Sequence, residues 1–249
     1  MMQVPILMYH WFRPAHRISV SRSPQLEIAP EFFEHQIRCL HERGYRSVSL
    51  NAALSDEPAI VRPPRSIVLT IDDGTLDFWT FGRPILEKYG FTALIFVVTG
   101  CVGTESRWDR HLYEPPRPLM TWDQIINLHR AGFEIGSHTH THRNLTELDD
   151  RTAWSEIADS KKVLTEKLGV SPKFIAYPRG LYHATHKEMA RKAGYLGACA
   201  VVFRWKDLAH SDIFELKRMT IKGAESMMRF KMRLALSRMI PLRRLRTPW

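Results

Sequence analysis

One recurring pattern along this chain limits the folds that it can adopt. A helical stretch ends in basic residues, a glycine follows, and a short apolar run comes next. The copies of this pattern are HERGYRSVSL, LEKYGFTALIFVV, LHRAGFEIGSH, TEKLGVSPKFIAY and ARKAGYLGACAVV. Basic residues are favourable in the last turn of a helix, and glycine readily takes the left-handed conformation that ends one. Short, nearly continuous apolar runs are typical of strands that are buried on both faces.

Helices that alternate with buried strands indicate a parallel sheet, either closed into a barrel or open and doubly wound. The helix start signals agree, because Pro30 precedes one helix, Thr121 can cap a second, and Asp149 or Asp150 can cap a third. The predicted strands are 6–9, 67–71, 93–98, 134–136, 174–177 and 199–203. The length of 249 residues suits one large domain, and single-domain βα barrels reach this size.

Cysteine usage and the N-terminal segment bear on the cellular compartment. Cys39, Cys101 and Cys199 are far apart and form no CxxC motif, so we expect buried thiols rather than disulfides or a metal site. The opening MMQVPILMYHWF lacks a basic region, and no window approaches the roughly 18 apolar residues of a membrane-spanning helix. We therefore expect a cytoplasmic protein, either free or peripheral at the inner face of the membrane.

The formal net charge of +10 is concentrated at the C-terminal end of the sequence. No acidic residue follows Glu225, whereas seven basic residues do. They are Arg229, Lys231, Arg233, Arg238, Arg243, Arg244 and Arg246. We therefore expect a barrel domain, 1–225, followed by a basic C-terminal helix or tail, 226–249. Because the charge is local and lacks interleaved exposed aromatic residues, no nucleic-acid partner is expected.

The apolar residues of this basic region fall on two helical stripes. One stripe contains Met228, Met232, Ala235 and Met239, and the other contains Met227, Phe230 and Leu234. Two interpretations stay open. The region is either a last barrel helix with a solvated basic edge or an attachment to an anionic membrane, where each basic residue adds favourable binding energy.

Two adjacent carboxylates, Asp72 and Asp73, directly follow the apolar run SIVLTI. In parallel α/β folds the functional site lies at the carboxyl ends of the strands. Neighbouring carboxylates repel each other unless a cation or a proton intervenes. Because consecutive strand residues point in opposite directions, one aspartate could bind a metal while the other faces a substrate. The alternative is a strand-ending turn in which Asp and Gly serve only the backbone geometry.

The apolar run FEIG leads into SHTHTH, in which three histidines lie close together. His138 and His142 are four residues apart, a spacing that lets two imidazoles converge on one metal, whereas His140 is expected to point elsewhere. One aspartate and two histidines leave a coordination position open for water, as catalytic zinc requires. The second aspartate could then accept a proton from that water. The alternative is a solvated histidine-rich loop.

Together these motifs resemble the polysaccharide deacetylase family, which includes carbohydrate esterase family 4 and the nodulation-type chitooligosaccharide deacetylases. The family's TFDDG motif stands here as TIDDG, its H-[ST]-x-x-H motif as HTHTH, and YPRGLY resembles its third motif, YPxGxY. The opening PILMYH and the segment DIFELKRMTI resemble the exopolysaccharide-associated branch of the family. The resemblance spans about residues 5–235.

The resemblance implies a distorted (β/α) barrel of seven or eight parallel strands that binds a divalent ion, most simply Zn²⁺. Asp73, His138 and His142 would be the ligands and Asp72 the general base. The substrate would be an N-acetylhexosamine in a polysaccharide, an oligosaccharide or a lipid-linked precursor, and acetate would leave it. The alternatives are a related hydrolase that acts on a formamide, an O-acetyl ester or a cyclic amide, and a catalytically impaired relative that only binds glycan.

One departure from the family pattern concerns the arginine that usually tethers the base. Ile175 and Ala176 stand where that arginine would precede Tyr177, so either Arg179 or Arg218 is expected to replace it. The residues expected to bind substrate or support the site are Tyr177, Arg179, Tyr182 and Arg218.

A second departure concerns the general acid, because the usual C-terminal Leu-x-x-His motif is absent and the last histidine, His210, lies in the polar stretch LAHSD. The first predicted strand ends instead in His10. This arrangement resembles circularly permuted members that act on β-1,6-linked N-acetylglucosamine polymers. We expect His10 to protonate the departing nitrogen, on the side of the ion opposite Asp72, without being a ligand. The alternative is that His10 merely ends a core strand.

Overall fold

Seven parallel strands form a closed barrel in the computed structural model, which describes residues 4–18, 24–55, 63–106, 108, 116–201, 212–223 and 225–239. The strands in these ranges are β1 (Ile6–Tyr9), β2 (Trp11–Phe12), β3 (Glu27–Ile28), β4 (Arg46–Ser47), β5 (Ser66–Ile71), β6 (Leu94–Val97), β7 (Glu134–Ser137), β8 (Phe174–Ala176), β9 (Gly197–Val201) and β10 (Leu216–Thr220). The barrel consists of β1 and β5 to β10, while β4 extends the sheet beside β5 and β2 pairs with β3.

Strand β1 closes the barrel. Leu7 lies in register with Met219 of β10 on one side and with Leu69 of β5 on the other. The first strand in the sequence is therefore a neighbour of the last. Of the two architectures that the alternation of elements allowed, the closed barrel is confirmed.

Helices connect the strands and cover the outside of the barrel. They are α1 (Ala15–Ile18), α2 (Pro30–Glu42), α3 (Leu50–Leu54), α4 (Arg83–Lys88), α5 (Trp122–Arg130), α6 (Asp150–Leu168), α7 (Ala184–Lys192) and α8 (Met227–Met239). The predicted start signals are confirmed, because Pro30 is the first residue of α2, Thr121 forms a capping box with Gln124, and Asp149 caps α6. Gly169, with a φ of 72°, ends α6 in the left-handed conformation that the recurring pattern predicts.

All six strands predicted from the sequence are present, and their described ends differ from the prediction by at most two residues. Residues 202–203 of the last predicted strand lie outside the described ranges. Strand β10 was not predicted as a strand, because Lys217, Arg218 and Thr220 interrupt its apolar pattern. The three cysteines are buried free thiols, as expected. Among the described residues, no helix has the length and apolarity that crossing a bilayer requires.

Helix α8 covers one side of the barrel with one of its two apolar stripes. Phe230 and Leu234 are buried in the same core cluster as Tyr9. Met228 and Met232, from the other stripe, are exposed. The two stripes therefore face opposite ways, one into the core and one outward.

The expected boundary between 1–225 and 226–249 stays a prediction, and α8 offers a matched test of it. Phe230→Ala should lower the free energy of unfolding by about 3–5 kcal/mol, because a buried aromatic ring is lost from the core. Met228→Ala on the same helix should change it by no more than about 0.5 kcal/mol. Urea unfolding measures both. An equally small effect of the two substitutions would show that α8 is a tail independent of the barrel's stability.

Candidate active site

The barrel brings the candidate residues together at the carboxyl ends of its strands. Asp72 and Asp73 follow β5, and His138 and His142 follow β7. His10 follows β1 directly. Parallel strands all end at the same mouth of a barrel, so segments that are far apart in sequence converge there. His210 lies outside the described residues.

Asp73, His138 and His142 are placed as a metal-binding group. One carboxylate oxygen and one ring nitrogen of each histidine all lie within 4.8 Å of one another, and all three residues are buried. The Nε2 atoms of both histidines are 3.5 Å from Asp73 Oδ1. Metal–ligand bonds of about 2.0–2.1 Å at tetrahedral angles require ligand atoms about 3.3 Å apart. The donor types, and the separation of Asp73 Oδ1 from each histidine, therefore fit a zinc-sized ion.

The protonation of both histidines also suits a metal ligand. Burial lowers the pKa of His138, and the neutral ring has its Nδ1 2.8 Å from the carbonyl oxygen of Ala176. A proton on Nδ1 leaves the Nε2 lone pair free to face the group. Burial, and then the neighbouring His138, lower the pKa of His142 well below its ordinary value. Both rings are thus held in the neutral form that binds metals.

Backbone strain is concentrated at this site. Asp73, Thr139, His142 and Arg179 are the non-glycine residues with positive φ in the described part of the chain, with values of 72°, 65°, 61° and 59°. Such conformations are costly for L-residues and persist where the surroundings impose them, most often at functional sites.

The separation of the two aspartates has a different origin from the expected one. Strand alternation was expected to point them in opposite directions, but β5 ends at Ile71, so both carboxylates lie beyond the strand. The left-handed turn at Asp73 directs its carboxylate towards both histidines. Asp72 stays close, with Oδ2 4.0 Å from His138 Nε2. The two carboxylates therefore serve the same site from neighbouring positions.

Arg218 of β10 forms a buried ion pair with Asp72. Its two terminal nitrogens donate hydrogen bonds of 2.6 and 2.8 Å to Asp72 Oδ1 and Oδ2, and the arginine is fully buried. Burial alone would raise the pKa of Asp72, but Arg218, with smaller contributions from His138 and His10, holds it well below its usual range. Of the two arginines that the sequence left open, Arg218 is the one paired with Asp72.

Arg179 and the two tyrosines occupy other places around the site. Arg179 lines the cavity at the mouth of the barrel. Tyr177 is buried, donates its hydroxyl to the carbonyl oxygen of Phe214 at 3.1 Å, and stacks on Tyr182 with ring centroids 4.6 Å apart. The tyrosines therefore brace the loop that carries Arg179.

His10 lies nearer to Asp72 than the sequence argument expected. Its Nε2 is 3.7 Å from Asp72 Oδ2, so His10 is beside this aspartate rather than opposite it across the group. His10 does not belong to the three-residue group of possible ligands, as expected. Burial lowers the pKa of His10 to about 4, although the charge of Asp72 opposes this shift. His140 points away, with its Nδ1 2.9 Å from Thr99 Oγ1.

A further set of residues, which the sequence did not reveal, holds Asp73 in place. Trp11 donates its indole N–H to Asp73 Oδ2 at 2.8 Å. The guanidinium of Arg117 lies 4.0 Å from the centre of the Trp11 ring, and Arg117 pairs with the fully buried Glu27. The position of Trp11, directly after His10 at the end of β1, was the one signal in the sequence that could have found this contact.

Two adjoining cavities open onto the group. The smaller, of about 70 Å³, is lined by residues that include His10, Asp72 and Asp73. The larger, of about 580 Å³, shares Trp108, His142 and Arg179 with it. The Trp108 and His142 rings are packed with centroids 4.5 Å apart. The site can therefore receive a bulky group in the larger cavity and a small one beside the aspartates.

Comparisons with known proteins agree with this arrangement. The profile of the polysaccharide deacetylase family matches residues 59–198, more than half of the chain. YxkH of Bacillus subtilis, provisionally named a polysaccharide deacetylase, is 31% identical over 194 residues, which are 78% of this chain and 62% of that protein. The poly-β-1,6-N-acetyl-D-glucosamine N-deacetylase of Staphylococcus aureus is 26% identical over 205 residues, covering 76% of this chain and 68% of that protein.

Solved structures show the same fold. The Streptococcus pyogenes deacetylase PplD, in complex with acetate, superposes with a TM-score of 0.75 at 23% identity and covers 93% of this chain and 97% of its own. IcaB from Ammonifex degensii superposes with a TM-score of 0.73 at 23% identity, covering 96% of this chain and 98% of its own.

The ligand assignment predicts the metal content of the purified protein. Wild-type protein should hold about one divalent ion per chain, and Asp73→Ala, His138→Ala and His142→Ala should each lose it. His140→Ala is the matched control, because this histidine belongs to the same loop and points away. Elemental analysis after dialysis measures the ion. Loss of metal in His140→Ala with retention in His142→Ala would contradict the assignment.

Proposed function

Because the chain belongs to the polysaccharide deacetylase family, we propose that it hydrolyses the acetamide of N-acetylhexosamine residues in a glycan, with a divalent ion, most simply Zn²⁺, as cofactor. The products are acetate and a free amine on the sugar. The observation that supports this proposal is the group of Asp73, His138 and His142, which lies beside Asp72. Asp72 is a buried carboxylate that Arg218 holds in position through two hydrogen bonds.

The three ligands suit a hydrolytic ion. Three protein ligands leave a position for water or substrate, whereas structural zinc sites are closed. When bound, the ion lowers the pKa of a water molecule and polarises the acetamide carbonyl. Trp11 fixes the second oxygen of Asp73, which leaves Oδ1 directed at the histidines. The ligand geometry is thus set before any ion arrives.

Asp72 accepts the proton from the attacking water. The bidentate contact with Arg218 keeps the carboxylate ionised and prevents it from turning towards the histidines. An ionised carboxylate beside the ligand group can take up a proton as the water oxygen bonds to the carbonyl carbon. Arg218 acts through Asp72 and is a positioning residue.

His10 delivers a proton to the departing nitrogen. An amide nitrogen must be protonated before the carbon–nitrogen bond breaks, because an amine anion is too basic to leave. His10 Nε2 is 3.7 Å from Asp72 Oδ2, so the proton that Asp72 takes from water can reach the histidine with a small movement. The same proton then moves to the nitrogen, and the water oxygen remains in acetate.

The cavities suit a glycan rather than a small isolated amide. The small cavity beside His10 and Asp72 has room for an acetyl group, and the larger one has room for sugar rings. Trp108 on their shared border offers an aromatic face on which the apolar side of a sugar can pack. The Staphylococcus aureus relative is named for poly-β-1,6-N-acetyl-D-glucosamine. We extend this substrate class, or its oligosaccharide or lipid-linked precursor, to the present chain.

The general base is tested by Asp72→Asn, which keeps the shape of the side chain and removes its charge. Acetate release from N-acetylglucosamine oligomers should fall by about 10²–10⁴-fold while the ion stays bound. Asp159→Asn, an exposed change on α6, is the control and should leave the rate unchanged. A fully active Asp72→Asn would remove this residue from the mechanism. No acetate release by the metal-loaded wild type from any N-acetylated glycan would refute the proposed function.

The general acid is tested by comparing two leaving groups. His10→Ala should retain the ion and lose most of its turnover on N-acetylated oligomers, because the amine cannot leave unprotonated. The same variant should still cleave an activated aryl acetate, since a phenolate leaves without a proton. Asp72→Asn should lose both reactions. His41→Ala, an exposed change on α2, is the control. Equal loss of both reactions in His10→Ala would show that His10 is not the acid.

A further inference from the structure

The outward face of α8 is an apolar stripe that no described part of the chain covers. Met228, Met232 and Leu236 are 81%, 53% and 43% exposed, and they repeat every fourth residue. Such spacing places them on one face of a helix. The opposite face carries Phe230 and Leu234, which are buried against the barrel. Packing against the barrel therefore accounts for the buried stripe of α8 but not for the exposed one.

Basic residues flank the exposed stripe on both sides. At 100° per residue, Arg229 and Lys231 lie on either edge of the face that Met228 and Met232 centre, and both are exposed. Within the described ranges, neither is paired with a carboxylate, whereas the next arginine, Arg233, binds Glu225 at 2.8 Å. The helix thus presents an apolar centre with cationic borders.

The sequence around α8 strengthens this charge pattern. No acidic residue occurs after Glu225, and the last ten residues of the chain, 240–249, add three arginines and a tryptophan. A solvated edge of a barrel helix does not require the complete exclusion of acidic residues over this length. An anionic partner does favour it, because each carboxylate would repel that partner.

We propose that α8 is a docking surface for an anionic membrane. Met228, Met232 and Leu236 would enter the boundary between headgroups and acyl chains, and Arg229 and Lys231 would reach the lipid phosphates along the borders. A second copy of this chain fits the face less well, because it would bring like charges together. A nucleic acid would leave the methionines and leucine without an apolar partner. The surface is independent of the proposed deacetylase activity.

The direction of the chain indicates what such docking would do. Strand β10 runs towards the mouth of the barrel, and α8 begins seven residues after the strand ends at Thr220. The N-terminal turn of α8 therefore starts from the same end of the barrel as the candidate site. Docking through Met228, which lies in this first turn, would place lipid at the same end of the barrel as the candidate site.

The test is flotation of the full-length protein with vesicles, without substrate. Vesicles with about a third phosphatidylglycerol should bind the wild type, neutral phosphatidylcholine vesicles should not, and high salt should weaken binding. Arg229→Gln with Lys231→Gln should weaken binding about thirtyfold, from about fivefold per basic residue. Met228→Asp with Met232→Asp should abolish it. Both pairs of positions are exposed, so the fold should survive, which circular dichroism can check.

Matched controls test whether binding depends on this surface and not on exposed charged or apolar residues elsewhere in the protein. Arg151→Gln with Lys162→Gln removes two exposed charges from α6, and Val170→Asp changes an apolar residue that is 49% exposed at the end of that helix. Both controls should bind like the wild type. Wild-type binding by the α8 variants would overturn the proposal, as would equal binding to neutral vesicles. A stable dimer in sedimentation that Met228→Asp dissociates would overturn it in favour of a second copy.

Discussion

The buried ion pair between Asp72 and Arg218 is the interaction on which the site depends. Two adjacent carboxylates cannot both stay ionised in a buried place unless cations compensate them. Arg218 neutralises one of them through two short hydrogen bonds, 2.6 and 2.8 Å long. It comes from β10, 146 residues further along the chain, and the pairing of β1 with both β5 and β10 brings the two partners together. The fold therefore places the guanidinium of Arg218 beside the carboxylate of Asp72.

The ion pair gives the two aspartates different roles. With Asp72 neutralised on one side, Asp73 is free to face the histidines, and its left-handed backbone directs it there. Strand β1 lies between β5 and β10 and sets the distance that Arg218 must span, and the same strand delivers His10 and Trp11 to the mouth. Loss of one partner of a buried pair is costly because it leaves the other charge uncompensated. The ion pair therefore contributes both to the geometry of the site and to the stability of the fold.

The sequence predicted those parts that depend on local patterns. Helix ends followed by glycine and an apolar run located four of the six predicted strands, and the apolar runs before His10 and Asp72 located the other two. Motifs at strand ends located Asp73, His138 and His142. The parts that it could not predict depend on contacts between distant segments. The choice between Arg179 and Arg218 needed the position of β10. The position of Trp11 after His10 hints at a role in the site, but its contact with Asp73 depends on the pairing of β1 with β5. His10 was identified from the end of β1, but its distance from Asp72 is set by the pairing of β1 with β5.

The most direct test of the account is a crystal structure with a divalent ion and acetate bound. The account predicts that the ion is ligated by Asp73 Oδ1 and by Nε2 of His138 and His142. It also predicts that Asp72 stays outside the coordination sphere with both hydrogen bonds to Arg218 intact, and that acetate lies between the ion and His10. An ion held by Asp72, with the contact to Arg218 broken, would contradict it.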